Sequence, residues 1–310
     1  MLFLSPFFVI RLKIFNHQNS KRHLSKFESS ENRCEKELHL KMKLTAEVTS
    51  ELLGKLVALI QACGSEVIVH FSPDHISLCV PREPGQICVW ALATQLSCFN
   101  KYQVLSQRNN SISMKVNGQQ FALGLALETA PTIQIMLSRS ENQPFLQFSH
   151  RSLDSLKLLQ HRVPVVLISY EQIFQYVEPE WDPPTIMLHF PPLRAICAWC
   201  QNVRTVSQMI TISGNKSKGE LSFKAENETV TIITKFNELE IEGESQSSGE
   251  EAEVMVEMKK FKKMLSVINI NPAISLIYLY HRQFIRLEFQ TTQDENNSTQ
   301  LCYFIPASTM

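Results

Sequence analysis

Residues 185–213, with the sequence TIMLHFPPLRAICAWCQNVRTVSQMITIS, decide the fold because they place a strand, a helix and a second strand in immediate succession. Apolar side chains dominate residues 185–190. Pro191 and Pro192 suit the start of a helix, where backbone amide hydrogens have no partner within the helix. Residues 193–206 form an amphipathic helical pattern, and the period-two alternation of a strand returns at residues 208–213.

The same order of elements occurs near the beginning of the chain. A strand pattern at residues 42–48 precedes a helix that runs from about residue 50 to Cys63 and ends at Gly64. A second helix is expected at residues 118–129, with Asn117 as its N-cap, and its counterpart is expected at residues 259–269. The two helix starts shift by the same interval between the halves, from 50 to 191 and from 118 to 259.

The chain is therefore predicted to contain two copies of one α+β unit. In each copy, two helices cover one face of an antiparallel sheet. The first copy spans residues 42–168, the second spans residues 185–310, and a connector at residues 169–184 joins them. Residues 1–41 are polar and basic without periodicity after a short apolar start, and they are interpreted as a disordered extension.

Composition excludes several classes of protein. The hydrophobic content of 44% is enough for packed cores, and only 19% of the residues are charged, which argues against wholesale disorder. No stretch approaches the roughly 20 apolar residues of a membrane span. Most of the eight cysteines lie in apolar runs, which indicates packed, reduced thiols and not a disulfide framework.

The net charge of zero hides an uneven distribution. Residues 1–43 hold nine Lys and Arg against four Glu, whereas residues 238–257 hold eight acids and no base. A protein-wide attraction to polyanions is thus not visible, and any contact with nucleic acid needs a local basic surface.

Two motifs with possible chemistry have simpler structural explanations. Cys197 and Cys200 form a C-x-x-C motif, which is interpreted as helix packing; a redox dithiol or a metal site are the alternatives. Residues 214–219 resemble a phosphate-binding loop but join two strands, so they are predicted to form a hairpin turn. Since no catalytic motif occurs, a non-enzyme without cofactor or metal is expected.

The most informative run is KKFKKML at residues 259–265, where four lysines occupy five positions at a helix start. Two interpretations explain this run equally well: a helix face exposed to solvent, or a helix face that contacts phosphate backbone. Arg194 and Arg204 add charge in the second half. The first half contributes Lys55 on a helix, with Lys101, Arg108 and Lys115 elsewhere. Aromatic residues do not alternate with these charges, so sequence-independent contact with a duplex is the form of binding that the pattern suits.

The duplicated unit resembles a DNA sliding clamp, and within that family it is most similar to the Hus subunit of the 9-1-1 checkpoint clamp. The resemblance covers residues 42–309 and rests on motifs in matching order: Met42-Lys43-Leu44, Ser72-Pro73-Asp74, Trp90, Val163-Pro164-Val165, Gly219-Glu220-Leu221 and Tyr303-Phe304-Ile305-Pro306-Ala307. Residues 1–41 depart from the family pattern.

The resemblance implies a DNA-clamp fold, with the sheets outside and the helices on the inner face of a ring. It also implies a nuclear, non-catalytic subunit of a heterotrimer with two related subunits, of the Rad-nine and Rad-one types. A clamp loader places such a ring on double-stranded DNA without sequence specificity, and the ring then serves damage signalling and repair enzymes.

The resemblance further assigns roles to particular residues. The expected duplex-facing residues are Lys55, Arg194, Arg204, Lys259, Lys260, Lys262 and Lys263. Subunit contacts are expected at two sheet edges, through Arg162, Val163, Val165 and Leu167 and through Val230, Ile232, Thr234 and Phe236. The connector aromatics Tyr170, Phe174, Tyr176 and Trp181 either form a docking surface for client proteins or pin the connector to the sheets.

Two other classes of protein remain open at this point. A homotrimeric replicative clamp needs two mutually complementary edges. An enzyme or an unrelated adaptor needs a buried pocket of convergent polar groups.

Overall fold

The computed structural model describes residues 42–48, 51–81, 83–107, 109–125, 132–141, 143–151, 158–241, 248–292 and 298–308. The elements of the first half are β1 (Lys43–Val48), α1 (Glu51–Gln61), β2 (Glu66–Phe71), β3 (His75–Cys79), β4 (Cys88–Thr94), α2 (Gln95–Cys98), β5 (Phe99–Leu105), β6 (Ile112–Asn117), α3 (Gly118–Leu125), β7 (Ile133–Ser140), β8 (Gln143–Arg151) and β9 (Leu158–Ile168). The connector contains a short helix, α4 (Tyr170–Ile173), and a 3-10 helix (Phe174–Tyr176).

The second half repeats most of this order. Its elements are β10 (Ile186–His189), α5 (Leu193–Val203), β11 (Met209–Asn215), β12 (Glu220–Glu226), β13 (Thr231–Phe236), β14 (Glu251–Glu257), α6 (Met258–Met264), a second 3-10 helix (Leu265–Ile270), β15 (Ile274–Tyr280), β16 (Phe284–Gln290) and β17 (Thr299–Pro306). The predicted α+β class with antiparallel sheets and few helices is confirmed.

Two antiparallel sheets organise the chain. The larger has the order β10-β15-β16-β17-β4-β3-β2-β6-β9-β8-β7-β1-β5, and the smaller has the order β13-β12-β11-β14. The two halves meet where β17 pairs with β4, with Thr299 opposite Ala93 and Phe304 opposite Cys88. The last strand of the second half is therefore bonded to the fourth strand of the first half.

The helices lie in one layer. Helix α1 contacts α3 and the second 3-10 helix, which also contacts α5 and α6. Apolar residues of these helices, such as Leu56 and Phe261, are fully buried against the sheets. The approach is close at Gly124, where a Cβ atom would lie 2.7 Å from the ring of Phe148, so α3 requires glycine at this position.

Several sequence predictions differ from the structure in detail. Helix α2 and strand β5 were not predicted, and the region after β4 was expected to be irregular. Residues 126–129, the end of the predicted second helix, lie outside the described residues, as do residues 1–41 and Arg108. Asn117 accepts a hydrogen bond from the Gln120 amide at 3.0 Å, which confirms it as the N-cap of α3. The division of the chain at residues 168 and 185 stays a prediction.

The connector is more regular than its prolines indicated. The Ser169 side chain accepts a bond from the Gln172 amide, and the Gln172 side chain accepts one from the Ser169 amide. This capping box fixes α4. Prolines 179, 183 and 184 come after it, so they do not interrupt the helix.

A half-buried histidine makes the stability of this fold depend on pH. Burial lowers the pKa of His70 to about 4, with the neighbouring His75 adding to the effect. Below about pH 6.5 this imidazole binds a proton in the unfolded chain but not in the folded chain. The free energy of unfolding therefore falls as the pH drops from about 6.5 towards 4. We expect the urea midpoint to decrease between pH 7 and pH 5, with a smaller decrease in His70→Asn. An equal pH dependence in the variant would contradict this assignment.

Candidate functional site

Strand β13 ends the smaller sheet and pairs only with β12 among the described strands. The equivalent strand in the first half is β4. Equivalent bonds start α3 and α6, from the Gly118 amide to Ser65 and from the Met258 amide to Gln208. When the registers are followed from there, Ile233 of β13 takes the position of Trp90 in β4.

The two equivalent strands differ in how well their inner faces are covered. In β4, where β17 lies alongside, Val89, Ala91 and Ala93 are at most 2% exposed. Their counterparts in β13 are only half-buried, namely Ile232, Thr234 and Phe236. The contrast within one chain indicates that β13 lacks a strand neighbour of the kind that β17 provides for β4.

Strand β9 shows the complementary deficit. It is equivalent to β17, since Phe145 pairs with Pro164 as Phe284 pairs with Pro306. Leu301 of β17 is fully buried under β4, whereas its counterpart Leu159 is 52% exposed. Leu159 is absent from the contacts predicted from the sequence, although superposing the two halves by their Phe and Pro pairs would have identified it.

The predicted β9 edge needs a correction. The strand lies inside the larger sheet, because residues 158–164 pair with β8 and residues 165–168 pair with β6. Val163 is fully buried and Val165 nearly so, Leu167 is half-buried, and Arg162 is exposed over the Phe145 ring. Each half of β9 has one strand partner among the described pairs, so the half that precedes Val165 is open on the side where β6 lies further along the strand. Val230 was predicted to belong to the second edge, but β13 begins one residue later, at Thr231, and Val230 is exposed.

The predicted duplex-facing residues of the second half lie on the helical layer. Arg194, Arg204, Lys259 and Lys262 are exposed, and Lys263 is half-buried. Arg204 and Lys262 line a groove of about 570 Å³ between α5 and the segment formed by α6 and the second 3-10 helix. Arg204, Lys259 and Lys262 also line a second, larger concavity beside β11 and β14. The structure thus brings together three of the predicted duplex-facing residues.

Two other predicted residues are neutralised by neighbouring acids. Lys55 forms an ion pair with Glu51 at 3.1 Å, one turn away on α1. Lys260 pairs with Glu257 at the start of α6, with its side chain only 16% exposed. These pairs reduce the positive charge that either lysine presents to an approaching anion.

Trp181 pins the connector to the junction between the halves. Its ring stacks on Phe304 at 5.3 Å and contacts Phe284 at 5.2 Å, and its edge meets Trp90. Tyr176 is also held, because its carbonyl accepts a bond from the Trp90 indole at 3.1 Å. For these two aromatics, the contacts are those of the pinning alternative.

A single carboxylate oxygen strengthens this anchor. Oε1 of Glu178 accepts bonds from the Trp181 indole at 2.8 Å, from Arg286 at 3.0 Å and from the Cys302 thiol at 3.1 Å. Burial opposes the charged form of Arg286, but Cys302 and the Glu178 and Glu288 carboxylates outweigh it and raise the pKa, so this guanidinium stays charged. The connector is therefore attached through charge-assisted bonds as well as ring packing.

The other two connector aromatics are exposed. Phe174 is 58% exposed and Tyr170 is 37% exposed, and their rings meet edge to face at 5.3 Å. Phe174 lines a cavity of about 350 Å³ together with Val80, Trp90 and Val177. This part of the connector has the exposed apolar surface that docking requires.

The environment of Cys197 and Cys200 does not favour the redox alternative for the C-x-x-C motif. Burial raises the pKa of Cys200 to about 12, with Lys262 opposing the shift, and it raises that of Cys197 as well. Both residues remain thiols on the packed side of α5, so a reactive dithiol is not formed. The described residues hold no group of three metal-binding side chains.

The other motif behaves as the sequence indicated. Residues 216–219 turn between β11 and β12, with the Gly219 amide donating to the Lys216 carbonyl. In the part of the chain that the structure describes, no helix has the length and apolar character needed to cross a bilayer.

Comparison with known proteins identifies a family model and relatives that match most of the chain. The family model described as Hus1-like protein matches residues 40–309. The human Checkpoint protein HUS1 is 25% identical over 255 residues, which cover 77% of this chain and 88% of the relative. Checkpoint protein hus1 of Schizosaccharomyces pombe is 21% identical over 82% of this chain and 94% of its own length.

Solved structures agree on the fold. PCNA from Thermococcus kodakaraensis superposes with a TM-score of 0.63 at 15% identity, covering 86% of this chain and 100% of that chain. The same antigen from Entamoeba histolytica gives a TM-score of 0.62 at 12% identity, over 86% of this chain and 99% of that chain. The predicted clamp fold is therefore confirmed.

Proposed function

This chain belongs to the Hus1-like protein family, and we propose that it forms one third of a heterotrimeric ring with two related subunits of the Rad-nine and Rad-one types. It is a non-catalytic subunit of the 9-1-1 clamp, which acts in the DNA damage checkpoint. The ring surrounds double-stranded DNA in the nucleus, where a clamp loader places it and repair enzymes meet it.

The observation that carries this proposal is the pair of incomplete strand edges. The intact β4–β17 junction provides the template for both, because β13 is equivalent to β4 and β9 is equivalent to β17. A strand from one neighbour completes β13, and a strand from the other neighbour covers Leu159 on β9. Backbone pairing of this kind also removes edges that would otherwise promote aggregation.

A ring of three identical chains fits these edges less well. In the β4–β17 register, Tyr303 lies opposite Val89, so pairing β9 with β13 of a second copy would place His161 against Ile232. Nε2 of His161 already bonds the Gln120 carbonyl at 3.2 Å, and covering the rest of the polar imidazole with an aliphatic side chain removes it from water at a cost. Different partner strands avoid this contact, which favours the heterotrimer over the homotrimeric clamp.

The helical layer faces the DNA in this arrangement. Its exposed basic residues contact phosphates, which carry no sequence information, and the closed ring retains the complex on DNA without tight base contacts. The exposed aromatics Tyr170 and Phe174 are the proposed docking surface for client proteins, whereas Tyr176 and Trp181 support the connector from below.

The test is the mass of the full chain, purified alone and after co-expression with the two partner subunits. We expect a monomer alone and a 1:1:1 complex with the partners. A stable trimer of the chain alone would support a homotrimeric clamp instead. A monomer that ignores both partners would contradict the ring.

A further inference from the structure

Three lysines of the first half form ion pairs with glutamates. Besides the Lys55–Glu51 pair, Lys101 bonds Glu47 at 3.0 Å and Lys115 bonds Glu66 at 3.1 Å. On the helices of this half, the described basic residues consist of Lys55 alone, and α3 carries no charge. Its exposed residues are Gln119, Gln120 and Leu123. The first half therefore presents a nearly neutral helical face.

The second half has the opposite character. Arg204 and Lys262 lie on either side of the groove of about 570 Å³, together with Gln201, whose amide can also donate hydrogen bonds. Within the part of the chain that the structure describes, neither of these two cations forms an ion pair. No acid lines this groove, whereas Glu226 and Glu257 line the second concavity that Arg204 and Lys262 also border. The donors and charge suit an anionic group with several acceptor oxygens.

We propose that the groove between α5 and the segment of α6 and the second 3-10 helix binds a phosphate of the DNA backbone, so that this subunit contacts the duplex through its second half only. Arg204 and Lys262 supply the charge, and Gln201 supplies a further donor. The first half then lies beside the duplex without phosphate contacts. This inference rests on the proposed function, because it requires DNA inside the ring.

Salt dependence measures such contacts directly. Each phosphate neutralised by a cation contributes about 0.9 to the slope of log affinity against log salt concentration on duplex DNA. Lysine-to-glutamine changes therefore count contacts at each position, and Lys55 provides a matched position on the other half, with the same side chain and a similar exposed setting.

The experiment uses the assembled heterotrimer with a short linear duplex, measured by fluorescence anisotropy from low to moderate salt. We expect R204Q/K262Q to reduce the slope by about 0.9, the contribution of one phosphate, and K262Q alone to reduce it by part of that amount, while K55Q leaves it unchanged. At a fixed low salt concentration the double variant should bind more weakly than wild type, and K55Q should bind equally well.

Each alternative result overturns the inference. Equal slopes in K262Q and K55Q would place contacts on both halves, and an unchanged slope in all variants would exclude the groove. Assembly and retention on circular DNA are measured separately in the same preparations. If wild type assembles and is retained, a negative result concerns the groove alone; if wild type fails in both, the proposed function itself fails.

Discussion

We expect Leu159→Asp to weaken ring assembly strongly while the chain alone stays folded. The side chain is half-exposed in the free subunit, so a carboxylate there changes the chain's own stability by no more than about 0.5 kcal/mol. In the ring it occupies the position at which Leu301 is fully buried under β4. An unpaired charge in that place costs about 3 kcal/mol or more, which weakens association on the order of 100-fold.

The control for this variant is on the same strand. Val166 is 61% exposed and belongs to the opposite face of β9, beyond the part of the strand that corresponds to the β4–β17 pairs. Val166→Asp should therefore assemble like wild type. Size-exclusion chromatography with light scattering, on each variant mixed with the two partners, distinguishes the outcomes. If both variants assemble equally, β9 is not a subunit contact.

Trp181→Ala destabilises the chain by about 3 kcal/mol. The substitution removes a ring that packs on Phe284, Phe304 and Trp90, and it removes a bond to Glu178. Losses of this size are usual when a large aromatic is truncated in a packed site. Urea denaturation measures the loss, and limited proteolysis should show faster cleavage in the connector.

Phe174→Ala is the matched truncation on the same connector. Because Phe174 is 58% exposed, its removal should change the free energy of unfolding by less than about 0.5 kcal/mol. A large loss of unfolding free energy for Trp181→Ala and a small one for Phe174→Ala would show that Trp181 supports the connector, whereas Phe174 is surface that client proteins can contact. Similar losses for both would contradict that division.

The fold was predictable because the chain contains two copies of one pattern. The strand, helix and strand of residues 185–213 have counterparts at residues 42–71, and this repetition is enough to indicate a duplicated α+β unit. Strand β5 was missed because its neighbour β1 pairs with it across more than 50 residues, with Lys43 opposite Leu105. Local periodicity does not report pairing at that distance.

The candidate surfaces were predictable only as regions. The lysine run at residues 259–263 identified the charged helix, but the pairing of Lys260 with Glu257 depends on how α6 follows β14. Leu159 was missed for a related reason: it shares its strand face with the buried Val163, and only the comparison with Leu301 reveals that its cover is absent. Exposure at a sheet edge depends on which strands lie next to each other in the folded sheet. The alternation of apolar and polar residues along one strand does not reveal this arrangement.

Retention on DNA tests the central claim most directly. The heterotrimer, loaded on a nicked circular plasmid, is challenged with high salt before and after the plasmid is cut once by a restriction enzyme. A ring that encircles DNA stays on the circle in high salt and slides off the linear product. Equal retention on both forms, or release from the circle in high salt, would show that the complex binds DNA from the outside and would contradict the account.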